Sequence, residues 1–158
     1  MINDWRWFAV KDGDPMLVDL FRRHYSSLKK SASVYRQHGI SGQGESMALC
    51  TVSGDAGFMW VRQSIRDDGQ AGINCTFFRN EGKELSSSLI LEAEELALNK
   101  WPNETRLFTY IDPRKVRHKR DPGRCYIKAG WKKIGMTKIN KLLIFEKIIQ
   151  KGQRNDTC

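Results

Sequence analysis

The sequence predicts a mixed α/β domain, one layer of β-sheet with helices packed on it. Two observations carry that prediction. Short runs rich in β-branched and aromatic residues are interleaved with segments of helical periodicity. One of those junctions, residues 72–101, strings a strand, a polar loop and a strong helix together without a break.

That junction is the stretch around which the rest is arranged. Ile73–Phe78 reads as a strand, and Arg79–Leu85 as a polar loop containing Gly82. Ser86–Ser88 open a helix whose Leu89, Ala93, Leu96, Ala97 and Trp101 recur on one face. A strand feeding a helix start through a loop aims several unpaired backbone N–H groups at one point. The helix dipole is positive there, so the point attracts anions. Arg79, Asn80, Gly82, Ser86 and Ser87 are the candidates for holding the phosphates of a group donor. The same serines also serve as ordinary helix caps.

From the N-terminus, Arg6–Lys11 reads as the first strand, and the opening segment lacks the basic-then-apolar layout of a signal peptide. Asp14-Pro15 opens a helix running to about Lys29, with Leu17, Leu20, Phe21, His24 and Leu28 on one face. Ser31–Ser46 is rich in glycine, serine and glutamine and reads as a long loop, either a connector or a flap carrying Tyr35. Met47–Val52 and Phe58–Gln63 flank a Gly/Asp turn and form a hairpin. Trp101-Pro102-Asn103 stops the central helix, and Arg106–Ile111 is the next strand, ending at Asp112-Pro113. Gly123–Gly130 is a short helix with Tyr126, and Trp131–Thr137 with Leu142–Ile148 make a closing hairpin. Residues 1–149 therefore form one domain, and 150–158 a polar, frayed tail.

The formal net charge is +9. Most of it is concentrated between Arg114 and Lys133, where Arg114, Lys115, Arg117, Lys119, Arg120, Arg124, Lys128, Lys132 and Lys133 face a lone acidic residue, Asp121. Such concentration points to a polyanionic partner, nucleic acid first. Arg114, Lys115, Arg117, Lys119 and Arg120 are the candidate backbone contacts, and Tyr35 a candidate to stack on a base. Cys50, Cys75, Cys125 and Cys158 are scattered without a CxxC pair, which argues against a zinc site or disulfide framework and for a reducing cytoplasm. No apolar run approaches the ~20 residues of a membrane span.

Gly72–Trp101 followed by Arg106–Gly135 resembles the core of the GCN5-related N-acetyltransferase (GNAT) fold. The short helix carries the family's Tyr-x-x-x-Gly-aromatic pattern as Tyr126, Gly130 and Trp131. The resemblance implies a single mixed sheet with splayed central strands flanked by helices, and an acyl-CoA donor whose pyrophosphate sits at the Arg79–Ser87 turn. The loop departs from the family's Gln/Arg-x-x-Gly-x-Gly/Ala: Glu84 replaces the second glycine, and Glu81 adds a second negative charge. That departure leaves room for another donor, such as an aminoacyl-tRNA.

A narrower resemblance rests on His24-Tyr25-Ser26, Phe78-Arg79-Asn80-Glu81-Gly82, Tyr110-Ile111-Asp112-Pro113 and Gly123-Arg124-Cys125-Tyr126. In this order they look like the phage Mu Mom family, which modifies adenine N6 in DNA with an acetamido group and protects phage DNA from restriction in the host cytoplasm. The resemblance implies double-stranded DNA as partner and extrusion of the base. Asp112 would accept the N6 proton, Tyr126 stands where the GNAT resemblance places the tyrosine that protonates the departing thiolate, and His24 and Tyr25 would line the far wall, His24 as a second candidate base. The rival readings are an ordinary GNAT enzyme that acetylates a protein or small amine, and a non-enzymatic nucleic-acid-binding module.

Overall fold

The computed structural model describes residues 5–24, 30–64, 68–115 and 121–150. Its seven strands form one sheet in the order β1-β2-β3-β4-β5-β7-β6. They are β1 (Trp7–Val10), β2 (Glu45–Thr51), β3 (Ala56–Arg62), β4 (Ile73–Asn80), β5 (Arg106–Ile111), β6 (Lys132–Met136) and β7 (Leu143–Ile148). The helices are α1 (Pro15–Arg23), α2 (Ala32–His38), α3 (Ser86–Lys100) and α4 (Arg124–Lys128). This is the mixed single-sheet α/β architecture expected from the sequence.

Two expectations for the first half are corrected. The first helix ends at Arg23, where His24 leaves it in an extended conformation. The expected long loop contains α2, which starts where Ser31 Oγ accepts from the Val34 N–H and stops at Gly39, φ 79°. Serine at the start and glycine just past the end are ordinary helix signals, hidden here by the glycine-rich context of the segment.

Helix α3 covers one face of the sheet. Leu89, Ile90, Ala93 and Ala97 pack against Trp7, Leu49, Phe58, Trp60 and Cys75. The buried indoles of Trp7 and Trp60 donate to the Leu89 and Ala93 carbonyls at 2.8 and 2.9 Å. Helices α1 and α2 cover the other face, burying Leu17, Leu20, Phe21 and Tyr35 against Cys50, Met59, Val61 and Phe77. Tyr35, expected on a flap, is thus a core residue, 4% exposed, with Phe21 edge-on at 5.1 Å. It has no face left for a nucleobase.

All neighbouring strands are antiparallel except β4 and β5. These two are parallel and in register only at Ile73–Leu107, Asn74–Phe108 and Cys75–Thr109. Beyond that point they part, and the cause lies in β4. Its register with β3 runs Trp60–Cys75 and then Met59–Phe77, so Thr76 is one residue too many. Such a bulge bends its strand and increases its twist. At the fork, Thr109 Oγ1 donates to the Cys75 carbonyl at 2.7 Å and fixes where the split begins.

Candidate active site

The split opens a cavity of about 970 Å³. Thr76, Phe77 and Phe78 of β4 form one wall, and Tyr110, Ile111 and Asp112 at the end of β5 the other. The start of α3 contributes Leu85, Ser86 and Ser87; α4 contributes Arg124, Cys125, Tyr126 and Lys128; His24 enters from the end of α1.

The N-terminus of α3 faces this space with unpaired donors. Its first-turn N–H groups have no intrahelical partner, the residue ahead of them, Leu85, makes no side-chain cap, and no acidic residue occupies the turn. Ser86 and Ser87 lie on the cavity wall as expected. The other three residues assigned to anion binding do not line it, and each builds the turn instead. The Arg79 guanidinium pairs with Glu81 at 2.5 Å and donates to the Arg23 carbonyl at 3.1 Å. Asn80 donates to the Glu84 carbonyl at 2.6 Å and Ser86 Oγ at 3.0 Å, and accepts from the Gly82 N–H at 2.9 Å. Gly82 lies so close to the β2–β3 turn that an added Cβ would fall 2.3 Å from Asp55 Oδ2. Any larger residue there would have to displace the Asp55 carboxylate, which accepts from Thr51 Oγ1.

The two glutamates of this loop were expected to repel phosphate. Both are neutralised from outside the cavity. Glu81 is bound by Arg23 at 2.8 Å as well as by Arg79. Hydrogen bonds from these two guanidiniums pull its carboxyl down to about 2. Glu84 pairs with Arg6 at 2.8 Å, and the same guanidinium holds Glu92 and Ser88, tying β1 to the first turns of α3.

Tyr126 and Asp112 line the same cavity, but their environments differ. The Tyr126 ring is 6% exposed and held by Trp131 at 4.9 Å, with its hydroxyl 3.3 Å from Cys75 Sγ. Burial pushes the Cys75 thiol up to about 12, so it stays protonated and unreactive. Asp112 is buried against Arg114: Oδ1 accepts from the Arg114 backbone and Nε, both at 3.0 Å, and Oδ2 from Nη2 at 3.1 Å. Those bonds hold its carboxyl below the usual range. Asp112 thus caps the turn before Arg114, with both carboxylate oxygens engaged.

His24 reaches the cavity wall edge-on to Phe77 at 5.1 Å. Tyr25, Arg117, Lys119 and Arg120 lie outside the described residues. Of the remaining basic candidates, Arg114 is engaged by Asp112 and the Asn140 carbonyl, and Lys115 lines the cavity. Sequence reasoning did not single out Asn74, Thr76, Arg124 or Lys128 for the site. The last two were visible only as part of the basic block, and the first two carried no local signal.

Helix α4 is held in place by a buried network. Glu94 of α3 accepts from Trp131 Nε1 at 3.1 Å and pairs with Lys147 of β7 at 2.7 Å; Lys147 also donates to the Ala129 carbonyl at 2.9 Å. Burial outweighs the pairing and raises the Glu94 carboxyl. Among the described residues no group of three or more His, Cys, Asp or Glu is placed to hold a metal, and no helix is long and apolar enough to cross a membrane.

No family model and no curated protein matches the sequence. Solved structures do resemble it in fold. An aminoglycoside 6'-acetyltransferase type Ii aligns over 91% of this chain and 97% of its own at 16% identity, TM-score 0.63. Aminoglycoside acetyltransferase AAC(6')-Ib, in complex with coenzyme A and kanamycin, aligns over 96% and 98% at 17% identity, TM-score 0.64. The same enzyme with paromomycin and acetyl-CoA gives 96%, 97%, 17% and 0.65. The chain has the fold of these GNAT acetyltransferases. The narrower resemblance to the Mom family gains no support from them.

Proposed function

We propose that this GNAT-fold chain is an acyl-CoA-dependent N-acyltransferase acting on an amine, the reading first set beside DNA modification as its rival. One observation carries it: the uncapped start of α3 opens onto a cavity between two diverging strands, with a buried tyrosine hydroxyl at its inner end. The residues present fit the donor. The α3 amides and Ser86 and Ser87 suit a pyrophosphate, and the unpaired edges of β4 and β5 suit the amides of an extended pantetheine arm. Leu85, 64% exposed at the cavity, gives that arm an apolar contact. The two loop glutamates are no obstacle once paired.

Bound acyl-CoA supplies an activated acyl thioester. In the transfer an amine nitrogen–carbonyl carbon bond forms and the carbon–sulfur bond breaks. Tyr126 donates its hydroxyl proton to the departing sulfur, and His24 takes the proton shed by the amine, directly or through water. On the cavity wall Lys115, Arg124 and Lys128 outnumber Asp121 and the Arg114-paired Asp112, so a neutral or anionic amine suits this site better than a polycationic aminoglycoside. The kanamycin and paromomycin complexes belong to the neighbours. An aminoacyl-tRNA donor gains nothing from neighbours that hold coenzyme A or acetyl-CoA.

The test is calorimetric titration with coenzyme A, followed by thiol release from acetyl-CoA across a panel of amines. Stoichiometric binding with amine-dependent thiol release supports the reading; absence of binding by folded protein sinks it. The same three wall cations keep adenine N6 in DNA as a second reading. Its test is mass spectrometry of nucleosides from bacteria expressing the chain. Unmodified deoxyadenosine alone, with soluble protein present, rejects it.

A further inference from the structure

Cys75 and Tyr126 form a buried pair at the point where β4 and β5 begin to part. Cys75 Sγ lies 3.3 Å from the Tyr126 hydroxyl and 3.7 Å from the Phe77 carbonyl oxygen. Both residues line the cavity, and both are held from elsewhere. Thr109 Oγ1 donates to the Cys75 carbonyl at 2.7 Å, and Trp131 packs on the Tyr126 ring at 4.9 Å. A thiol has one hydrogen to donate, and its sulfur is a weak acceptor. Two arrangements therefore compete. In one, the S–H points to Phe77 and the sulfur accepts the tyrosine O–H, which occupies that proton. In the other, the S–H points to the tyrosine oxygen, and the tyrosine's own proton is released for other work. While the tyrosine is neutral, neither acceptor carries a charge. Once its oxygen gives up the proton it turns negative, and a charged acceptor draws a donor more strongly than a carbonyl does. Burial keeps the Cys75 thiol protonated, so its hydrogen is there to give.

We propose that Cys75 is a positioning residue for the proton donor: its S–H holds the Tyr126 oxygen while the tyrosine proton goes to the departing sulfur. The inference rests on the acyltransferase reading. As the carbon–sulfur bond breaks, its electron pair stays on the coenzyme sulfur, which takes the proton from Tyr126. The tyrosine oxygen keeps the electron pair of its O–H bond, and the Cys75 S–H stabilises that charge without giving its own proton up. The proton that His24 collects from the amine leaves to solvent, and Tyr126 regains one from there. Nothing is oxidised or reduced, and Cys75 ends as it began. Cys75 touches no reacting atom, so its removal acts only through Tyr126.

The experiment measures single-turnover thiol release from acetyl-CoA with the best amine of the panel. It compares wild type, Cys75→Ala, Cys75→Val and Cys75→Ser, each with Tyr126 and with Tyr126→Phe. Coenzyme A titration shows which proteins are folded and bind the donor, and Cys75→Ala keeps the test open where the bulkier valine disturbs the core. With Tyr126 in place, Cys75→Ala and Cys75→Val should release thiol about tenfold more slowly than wild type. That is the low end for a hydrogen bond to a developing charge, because a thiol is a weak donor. Their affinity for coenzyme A should match wild type. Cys75→Ser keeps a donor in nearly the same place and should run faster than Cys75→Ala. With Tyr126→Phe all the Cys75 forms should share one rate, because the group that Cys75 serves is gone. A Cys75→Ala protein as fast as wild type overturns the proposal. So does a serine variant no faster than the alanine one, and so does an equal slowing by Cys75→Ala with and without the tyrosine hydroxyl, the mark of a packing role. Failure of wild type to bind coenzyme A removes the acyltransferase reading itself, an outcome read before any variant is compared.

Discussion

Replacing Glu81 with glutamine tests the clamp that closes the donor turn. The Glu81 carboxylate is gripped by Arg23 and Arg79, and its pKa falls from an ordinary 4.5 to about 2. At about 1.36 kcal/mol per pH unit, that difference corresponds to an upper bound of roughly 3 kcal/mol. The side chains of Glu81, Arg79 and Arg23 are 30%, 34% and 49% exposed. Water and salt screen such a triad, so the expected loss is about 1 kcal/mol at pH 7. The folded-state pKa lies below the unfolded one. The contribution is therefore complete above about pH 4.5 and disappears as the pH falls towards 2. Urea denaturation of wild type and Glu81→Gln between pH 2 and 7 reads the difference directly. It should be near its full value at pH 5–7, shrink below pH 4.5, and diminish further in high salt. A difference that stays constant to pH 2, or that grows as the pH falls, refutes the clamp.

Tyr126→Phe removes the proton donor and keeps the ring, so kcat should fall about 100-fold with coenzyme A affinity unchanged; an unaltered kcat in stopped-flow thiol release rejects the role. Lys147→Ala strands the Glu94 carboxylate beside Trp131 and should cost about 3–5 kcal/mol by chemical denaturation. Because burial already raises the Glu94 carboxyl, that loss should be smaller at pH 5, where protonation relieves the charge, than at pH 8. Gly123, ahead of α4, has φ 79°, and an added Cβ would lie 2.5 Å from Phe145. Gly123→Ala should lose about 1–3 kcal/mol and lower kcat by displacing Tyr126.

Sequence alone determined the features set by local periodicity and turn chemistry. The run Ile73–Phe78 could pack only as a strand, the face of Leu89, Ala93 and Ala97 only as a helix on it, and the Gly/Asp turn only as a hairpin. Those choices fix a mixed single sheet and the direction in which the start of α3 points. Ser86, Ser87 and Tyr126 could be placed at the site because their position follows from the elements that carry them. Tertiary structure decided which side chains were free. Arg79 looks like a site residue in sequence and Glu81 like a charge opposed to it, yet Arg23, far away along the chain, joins both in a clamp behind the wall. Asp112 becomes a cap when Arg114 folds back on it, and Tyr35 becomes core because an unrecognised helix carries it under Phe21. The fork between β4 and β5 depends on one surplus residue, Thr76, counted against a partner strand, so no reading of β4 by itself reveals it. Charge pairing, register and burial are relations between distant residues, and they exist only once every possible partner has been positioned.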